Sequence, residues 1–232
     1  MKIYTESNAY DVIQRDVENN FHAMIGKKPE DVKNIVIVGA YHGYEIDTLL
    51  KNYPNCKIYA FEAYPEHFNV LRGRYEANPN VKIIGKAVSD IDGTIDFFEL
   101  GNGGGGSGSI LEFQGHKFGH PFIPQQPIKI PSVTLKKELQ NIEIDLLWVD
   151  VQGAELLVLK GSPLNLVNSL FIEIHTHDFI KAWDEEPYKG QCYKEDLEEY
   201  LFNSHVLHSI GLDNASGNGQ GNSFWLRKKS SE

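Results

Sequence analysis

Apolar positions along this chain switch repeatedly between short unbroken runs and a spacing of three and four. Ile35 to Val38 is a continuous apolar run, as in a parallel strand covered on both faces. Ile46, Leu49, Leu50 and Tyr53 then recur at i, i+3, i+4 and i+7, which predicts a helix. Lys57 to Phe61 reads as a second strand. Pro65 suits the first turn of a helix whose inner face carries Tyr64, Phe68, Leu71 and Tyr75. Val81 to Val88 reads as a third strand. Asp92-Gly93 is a turn signal, and Thr94 to Leu100 follows as an added strand. Beyond a glycine-rich loop the alternation resumes. It gives a short helix near 134–140, the strand Ile144 to Val149, a helix over 153–160 stopped by Gly161, and the strand Leu170 to Ile174. Tyr193, Leu197, Tyr200 and Leu201 mark a late helix, and Val206–Ile210 with Ser223–Arg227 reads as a closing antiparallel pair. Ahead of the first strand, Ile13, Val17, Phe21 and Met24 give an amphipathic N-terminal helix.

Strands alternating with helices predict an α/β fold with a doubly wound, mostly parallel sheet, closed by an antiparallel strand and carrying an added β-hairpin. There is no internal repeat and no clean linker. The expectation is one domain over residues 1–232, with a helical extension at 1–30 and an insertion of loop and hairpin at 101–131.

Composition narrows the chemistry. With 41% hydrophobic residues, the chain can bury a sizeable core without disulfides. Cys56 and Cys192 are too few for a disulfide framework or a zinc site, which suits free thiols in a reducing compartment. No apolar run approaches the roughly 20 residues a membrane helix needs, and the first residues lack an apolar signal core. The chain is therefore read as cytoplasmic with no membrane partner, and the sequon at Asn214 as accidental. Net charge is −10, and the basic clusters are short: Lys27-Lys28, Lys136-Lys137 and Arg227-Lys228-Lys229. That balance weighs against a nucleic-acid partner. Oligomeric state, monomer or dimer, stays open.

The run IVIVGAYHG ends in Gly39 and Gly43. A dinucleotide fingerprint would need three glycines, and a P-loop a following Gly-Lys-Ser/Thr; neither is present. A strand ending in G-x-x-x-G before a helix still offers free N–H groups, which suits a carboxylate better than a polyphosphate. Glu62 closes the second strand, where an acidic side chain accepts hydrogen bonds from a ribose diol. Together the two features point to a ligand bearing a nucleoside.

With these residues in place, the blocks VGAYHGYEIDTLL, YAFEAYPEHFNVL, KAVSDIDGTIDFFEL, SVTL, IDLLWVDVQGAELLVLKG and LFIEIH resemble, in order and spacing, those of the FkbM-type methyltransferases. The resemblance spans about residues 34–177. It implies the class I fold, with a seven-stranded Rossmann-like sheet and S-adenosyl-L-methionine across the C-terminal strand edges. It also implies O-methylation of a hydroxyl on a sugar, glycan or polyketide-like acceptor. Carried over by residue, Gly39, Ala40 and Gly43 would wrap the methionine part and Glu62 would take the ribose hydroxyls, with Tyr41 and Ala63 also in the cofactor-binding set. Val88 and Ser89 would flank the adenine, and Asp150 would face the sulfonium. There are two departures: Ile37 stands where the family carries an acid, and Gln152 where its Asp-x-Glu-Gly block carries Glu. They leave a non-catalytic binding module as the alternative.

Methyl transfer to a hydroxyl needs in-line positioning and removal of a proton, for which a base with a pKa near the working pH serves best. Glu173, His175 and His177 fall at i, i+2 and i+4 near the end of one strand, on one face if it stays extended. Asp150 ends the preceding strand. The expected catalytic residues are Asp150, Glu173 and His175, with His175 favoured as base. A divalent metal held by Asp150, Glu173 and the histidines is the less favoured alternative. Glu155 reads as a charge complementing the start of its helix. The loop Gly101–Ser109 reads as either a lid over the acceptor or a connection. Phe113, His116, Phe118, His120, Phe122, Trp183 and Tyr188 offer aromatic faces to an acceptor or to the core.

Overall fold

A computed structural model describes residues 1–5, 8–101, 106–114, 126–177, 186–213 and 219–229. His116, Phe118, His120, Phe122, Trp183 and Asn214 lie outside the described residues, as does the middle of the Gly101–Ser109 loop. The elements run β1 (Lys2–Tyr4), α1 (Ala9–Met24), β2 (Asn34–Val38), α2 (Tyr44–Asn52), β3 (Lys57–Phe61), α3 (Pro65–Tyr75), β4 (Val81–Ile84), β5 (Ala87–Val88), β6 (Gly93–Phe97) and β7 (Ile128–Val133). They continue with α4 (Leu135–Glu138), β8 (Leu146–Val149), α5 (Glu155–Lys160), β9 (Ser169–His175), α6 (Lys194–Leu201), β10 (His205–Leu212) and β11 (Gln220–Arg227).

The main sheet has the order β1-β10-β11-β9-β8-β2-β3-β4. Strand β11 runs antiparallel to both β9 and β10, while the remaining pairs are parallel. The sequence pattern explains the layering. Ile35 and Ile37 of β2 face a core shared with Ile13, Val17 and Phe21 of α1, Ile46 and Leu49 of α2, and Leu71 of α3. Val36 and Val38 face the opposite core, with Leu135 of α4, Val158 and Leu159 of α5, and Leu197 and Leu201 of α6. A strand covered on both faces has no polar position to spare, hence the unbroken IVIV.

Three boundaries differ from the sequence expectation. The sheet has eight strands rather than seven, because Lys2–Tyr4 adds to β10 in parallel. The N-terminal extension is thus a strand before a helix. The run Val81–Val88 is not one strand: it breaks at Gly85-Lys86, so that β4 stays in the main sheet and β5 leaves it. A side chain at Gly85 would crowd the ring of Phe68, at 3.0 Å, which explains a glycine at the break. The added hairpin is in fact a separate three-stranded sheet, β5-β7-β6, with its own small core of Ala87, Phe97 and Ile130.

Strand β2 pairs with β3 on one side and β8 on the other. The chain therefore winds outwards in both directions from β2, and the crevice beyond the carboxyl ends of β2 and β8 is the topological switch point.

Candidate active site

At that switch point β2 and β8 come too close for a side chain. Gly39 follows β2 with φ +86°, and a Cβ there would lie 1.7 Å from the carbonyl oxygen of Asp150. Only glycine meets both demands. Tyr41 and Gln152 carry positive φ values, 44° and 56°, without being glycine. Both lie in the turns that leave these strand ends, and backbone strain of this kind gathers at functional sites.

Between the turns lies a cavity of about 160 Å³. Gly39, Tyr41, Glu62, Ala63, Val88 and Asp150 line it, as the sequence reading expected of the donor site. Ala40, Gly43 and Ser89 do not. Ala40 is buried in the core against α1 and α2, and Gly43 caps α2 at φ +70° with Leu71 and Ile46 against it. The Ser89 hydroxyl donates to Asp90, and its N–H donates to the Val133 carbonyl. Phe97 of the small sheet, Gly106, Gly108 and Gln152 line the cavity as well. The described end of the Gly101–Ser109 loop thus belongs to the wall of this cavity.

Glu62 is 6% exposed. The Tyr41 N–H donates to Oε2 and the Tyr64 N–H to Oε1, each at 2.8 Å. Burial pushes its pKa up to about 7, against the pull of these backbone donors. Each oxygen keeps a lone pair for one further donor, so the residues fit a vicinal diol.

The second group lies at the ends of β8 and β9. Val149 pairs with Ile172, which sets the next residues, Asp150 and Glu173, side by side. Gln152 Nε2 donates to Asp150 Oδ1 at 2.7 Å and to Glu173 Oε2 at 2.8 Å, and Gln220 Nε2 donates to Glu173 Oε1 at 2.6 Å. One amide nitrogen bridges the two carboxyls, and two acids held so close cannot both ionise freely. Burial raises both, and the charge of Asp150 pushes Glu173, 1% exposed, well above the usual carboxylate range. The Tyr188 hydroxyl, which donates to the Ser107 carbonyl at 2.7 Å, is held up by burial and then by these same acids.

Glu155 is a helix-start residue, as expected: Oε1 accepts the N–H groups of Val151 and Gly153, each at 3.1 Å. His175 is 2% exposed, and burial pushes it down to about 4. It pairs with Gln220 in the ladder and does not line the cavity. His177 does not share a face with Glu173, because the strand ends at His175. Its exposed ring stacks on Tyr193 instead, with centroids 4.5 Å apart. Among the described residues, no group of three His, Cys, Asp or Glu side chains is arranged to hold a metal ion.

A model of the FkbM methyltransferase domain matches residues 38–203, well over half the chain. The protein belongs to the FkbM methyltransferase family. Its methyl donor is S-adenosylmethionine, and the match begins one residue before Gly39 and takes in the whole cavity wall described above. Among curated relatives, the 2-O-methyltransferase NoeI of Sinorhizobium fredii (strain NBRC 101917 / NGR234) is 29% identical over 174 residues, covering 71% of this chain and 68% of its own. Two solved structures match at a TM-score of 0.50. The N-methyltransferase NodS of Bradyrhizobium japonicum WM9 is 8% identical over 94% of this chain and 98% of its own. An rRNA methylase of Streptococcus thermophilus is 11% identical over 90% and 94%. At such identities the two structures share the fold alone. Among the described residues no helix is long and apolar enough to cross a membrane.

Sequence reasoning missed the two glutamines. Gln152 stood out only as a departure from the family block, whereas it ties Asp150 to Glu173. Gln220 sits at the end of an Asn/Gly-rich stretch, where no local pattern marks it.

Proposed function

We propose that this FkbM-family methyltransferase transfers a methyl group to a hydroxyl oxygen of a sugar, glycan or similar small molecule. The observation that carries the proposal is the buried pair Asp150–Glu173, bridged by Gln152 at the strand edge, with Asp150 in the wall of the donor cavity. A sugar hydroxyl does not ionise near pH 7, so its proton needs a nearby acceptor as the oxygen is methylated. The name of the relative NoeI, a 2-O-methyltransferase, supports oxygen as the target.

Gly39 and Tyr41 would hold the methionine part of the donor, Glu62 the ribose, and Ala63 and Val88 the base. Bound there, S-adenosylmethionine supplies an electrophilic methyl. Asp150, the ionised member of the pair, takes the hydroxyl proton, and Glu173, raised by burial and by the charge of Asp150, stays protonated. Gln152 fixes both carboxyls through its two N–H bonds, so the base is oriented before an acceptor arrives. His175, pushed down to about 4 and absent from the cavity wall, is too weak a base for this role. The departure at Gln152 supports catalysis here, because an amide bridges two acids that a third acid would repel. Ile37 is fully buried in the core behind the cavity, so the family's acid at that place is not replaced by anything in the wall.

The test is methyl transfer from isotopically labelled S-adenosylmethionine to a panel of glycans and small alcohols. Label on an oxygen of a sugar-like acceptor supports the proposal. Label on nitrogen alone, or none with any acceptor while the donor binds, would favour another acceptor or a binding module.

A further inference from the structure

Glu99 is a buried acid that neither the family blocks nor the proposed mechanism uses. It lies just beyond β6, where Phe98 and Ser109 form an antiparallel bridge and exchange backbone hydrogen bonds of 2.8 and 3.1 Å. Alternation along this extended segment puts Phe97 and Glu99 on the face opposite Phe98. Phe97 is part of the donor cavity wall. Glu99 is 8% exposed, and its Oε2 has no hydrogen-bond partner among the described residues. A Cβ at Gly108, another lining position, would stand 3.0 Å from that same oxygen and 2.7 Å from the Phe97 ring. The missing side chain at Gly108 thus leaves open the space in front of the Glu99 carboxyl.

An unpaired buried carboxyl is costly. Among the described residues nothing relieves it: burial first, and then the charges of Glu66 and Glu62, push Glu99 up to about 7. A hydrogen-bond donor on the ligand would supply the missing partner. The part of the wall beside Glu99 is apolar: Phe97, which shares the Gly108 contact with Glu99, packs there with Ala63 and Ala87. A flat base carrying one amino group suits that part of the cavity.

We infer that Glu99 accepts a hydrogen bond from the exocyclic amino group of the donor's adenine and so selects adenine over other purines. The inference rests on placing the donor in this cavity.

Calorimetry with two product nucleosides tests it: S-adenosylhomocysteine, and S-inosylhomocysteine, in which a carbonyl oxygen replaces the amino group. At pH 8, above the value of about 7 for Glu99, the wild-type protein should bind the inosine compound at least about tenfold more weakly, as expected when a charged acceptor loses its donor. In Glu99→Ala the two affinities should converge. Glu99→Gln, whose amide can donate to the carbonyl, should also narrow the preference. Equal binding of both nucleosides by the wild type would overturn the role of Glu99 and leave the donor site standing. So would a preference that persists unchanged in Glu99→Ala. If the wild type binds neither nucleoside, the placement of the donor fails and this inference falls with it.

Discussion

Asp150 and Glu173 stand side by side at the ends of neighbouring parallel strands, and one amide nitrogen, Gln152 Nε2, donates to both, at 2.7 and 2.8 Å. Two acids so placed cannot both ionise freely, and in the proposed mechanism Glu173 holds a proton while Asp150 accepts one. Asp150→Asn should lower kcat by roughly 10²–10⁴ while S-adenosylhomocysteine still binds. A folded Asp150→Asn enzyme with near-normal kcat would remove the pair from the chemistry.

Donor affinity should depend on pH through Glu62. Its pKa in the free protein is about 7, and a diol favours the ionised form. Below that value binding must expel a proton, so affinity should weaken by about tenfold per pH unit. Glu62→Ala should bind S-adenosylhomocysteine more than about tenfold less tightly, and the pH dependence should vanish. Calorimetry at pH 6, 7 and 8 reads both effects; flat wild-type affinity across this range would contradict the ribose assignment.

Stability should move with pH in a definite direction. Glu62 and Glu155 titrate near 7 and Glu45 near 8 when folded, each raised first by burial, against an unfolded value of about 4.3. Between those values these carboxyls bind more protons in the folded state than in the unfolded one, so their contribution to stability is lost as pH rises through the window. Asp16 and Asp92 are shifted downwards and do not titrate there. His175 and His205, pushed down to about 4 by burial, act in the opposite sense below about pH 6.5. The Tm of the donor-free protein should therefore fall from about pH 6.5 towards pH 8. Glu62→Gln should flatten the fall, which thermal denaturation at several pH values would show.

Gly39→Ala should fail structurally rather than chemically. The new methyl group would meet the Asp150 carbonyl at 1.7 Å in a backbone conformation that alanine avoids. A loss of roughly 2–4 kcal/mol is expected, along with donor binding. A variant that matches the wild type in denaturant titration would mean that β2 and β8 are set further apart.

Much of this was readable from the residues. The doubly wound order follows from IVIV and LLWV, buried on both faces, and KIYAF, buried but for Lys57 and half-buried Tyr59, separated by helices with one apolar stripe. The place of Glu62 in the cavity wall was legible because it depends on a strand end and a nearby glycine turn, both local signals. The surroundings of His175 were not. Periodicity puts Glu173, His175 and His177 on one face, but it says nothing of depth, and depth decides a histidine's pKa. His175 is sealed in the β9–β11 ladder, while His177 leaves the strand altogether. Gln220 meets Glu173 only because β11 lies antiparallel to β9, a pairing between residues far apart in the chain. The small sheet that brings Phe97 and Glu99 to the cavity was equally hidden, since the break at Gly85 divides what reads as a single strand.

The most direct test of hydroxyl methylation by this site is mass spectrometry of acceptor glycans incubated with deuteromethyl-labelled S-adenosylmethionine and either wild-type protein or Asp150→Asn. Transfer through the Asp150–Glu173 pair predicts labelled methyl on a sugar oxygen with the wild type and loss of nearly all of it with the folded variant. Equal labelling by both proteins, or label found only on nitrogen, would contradict it.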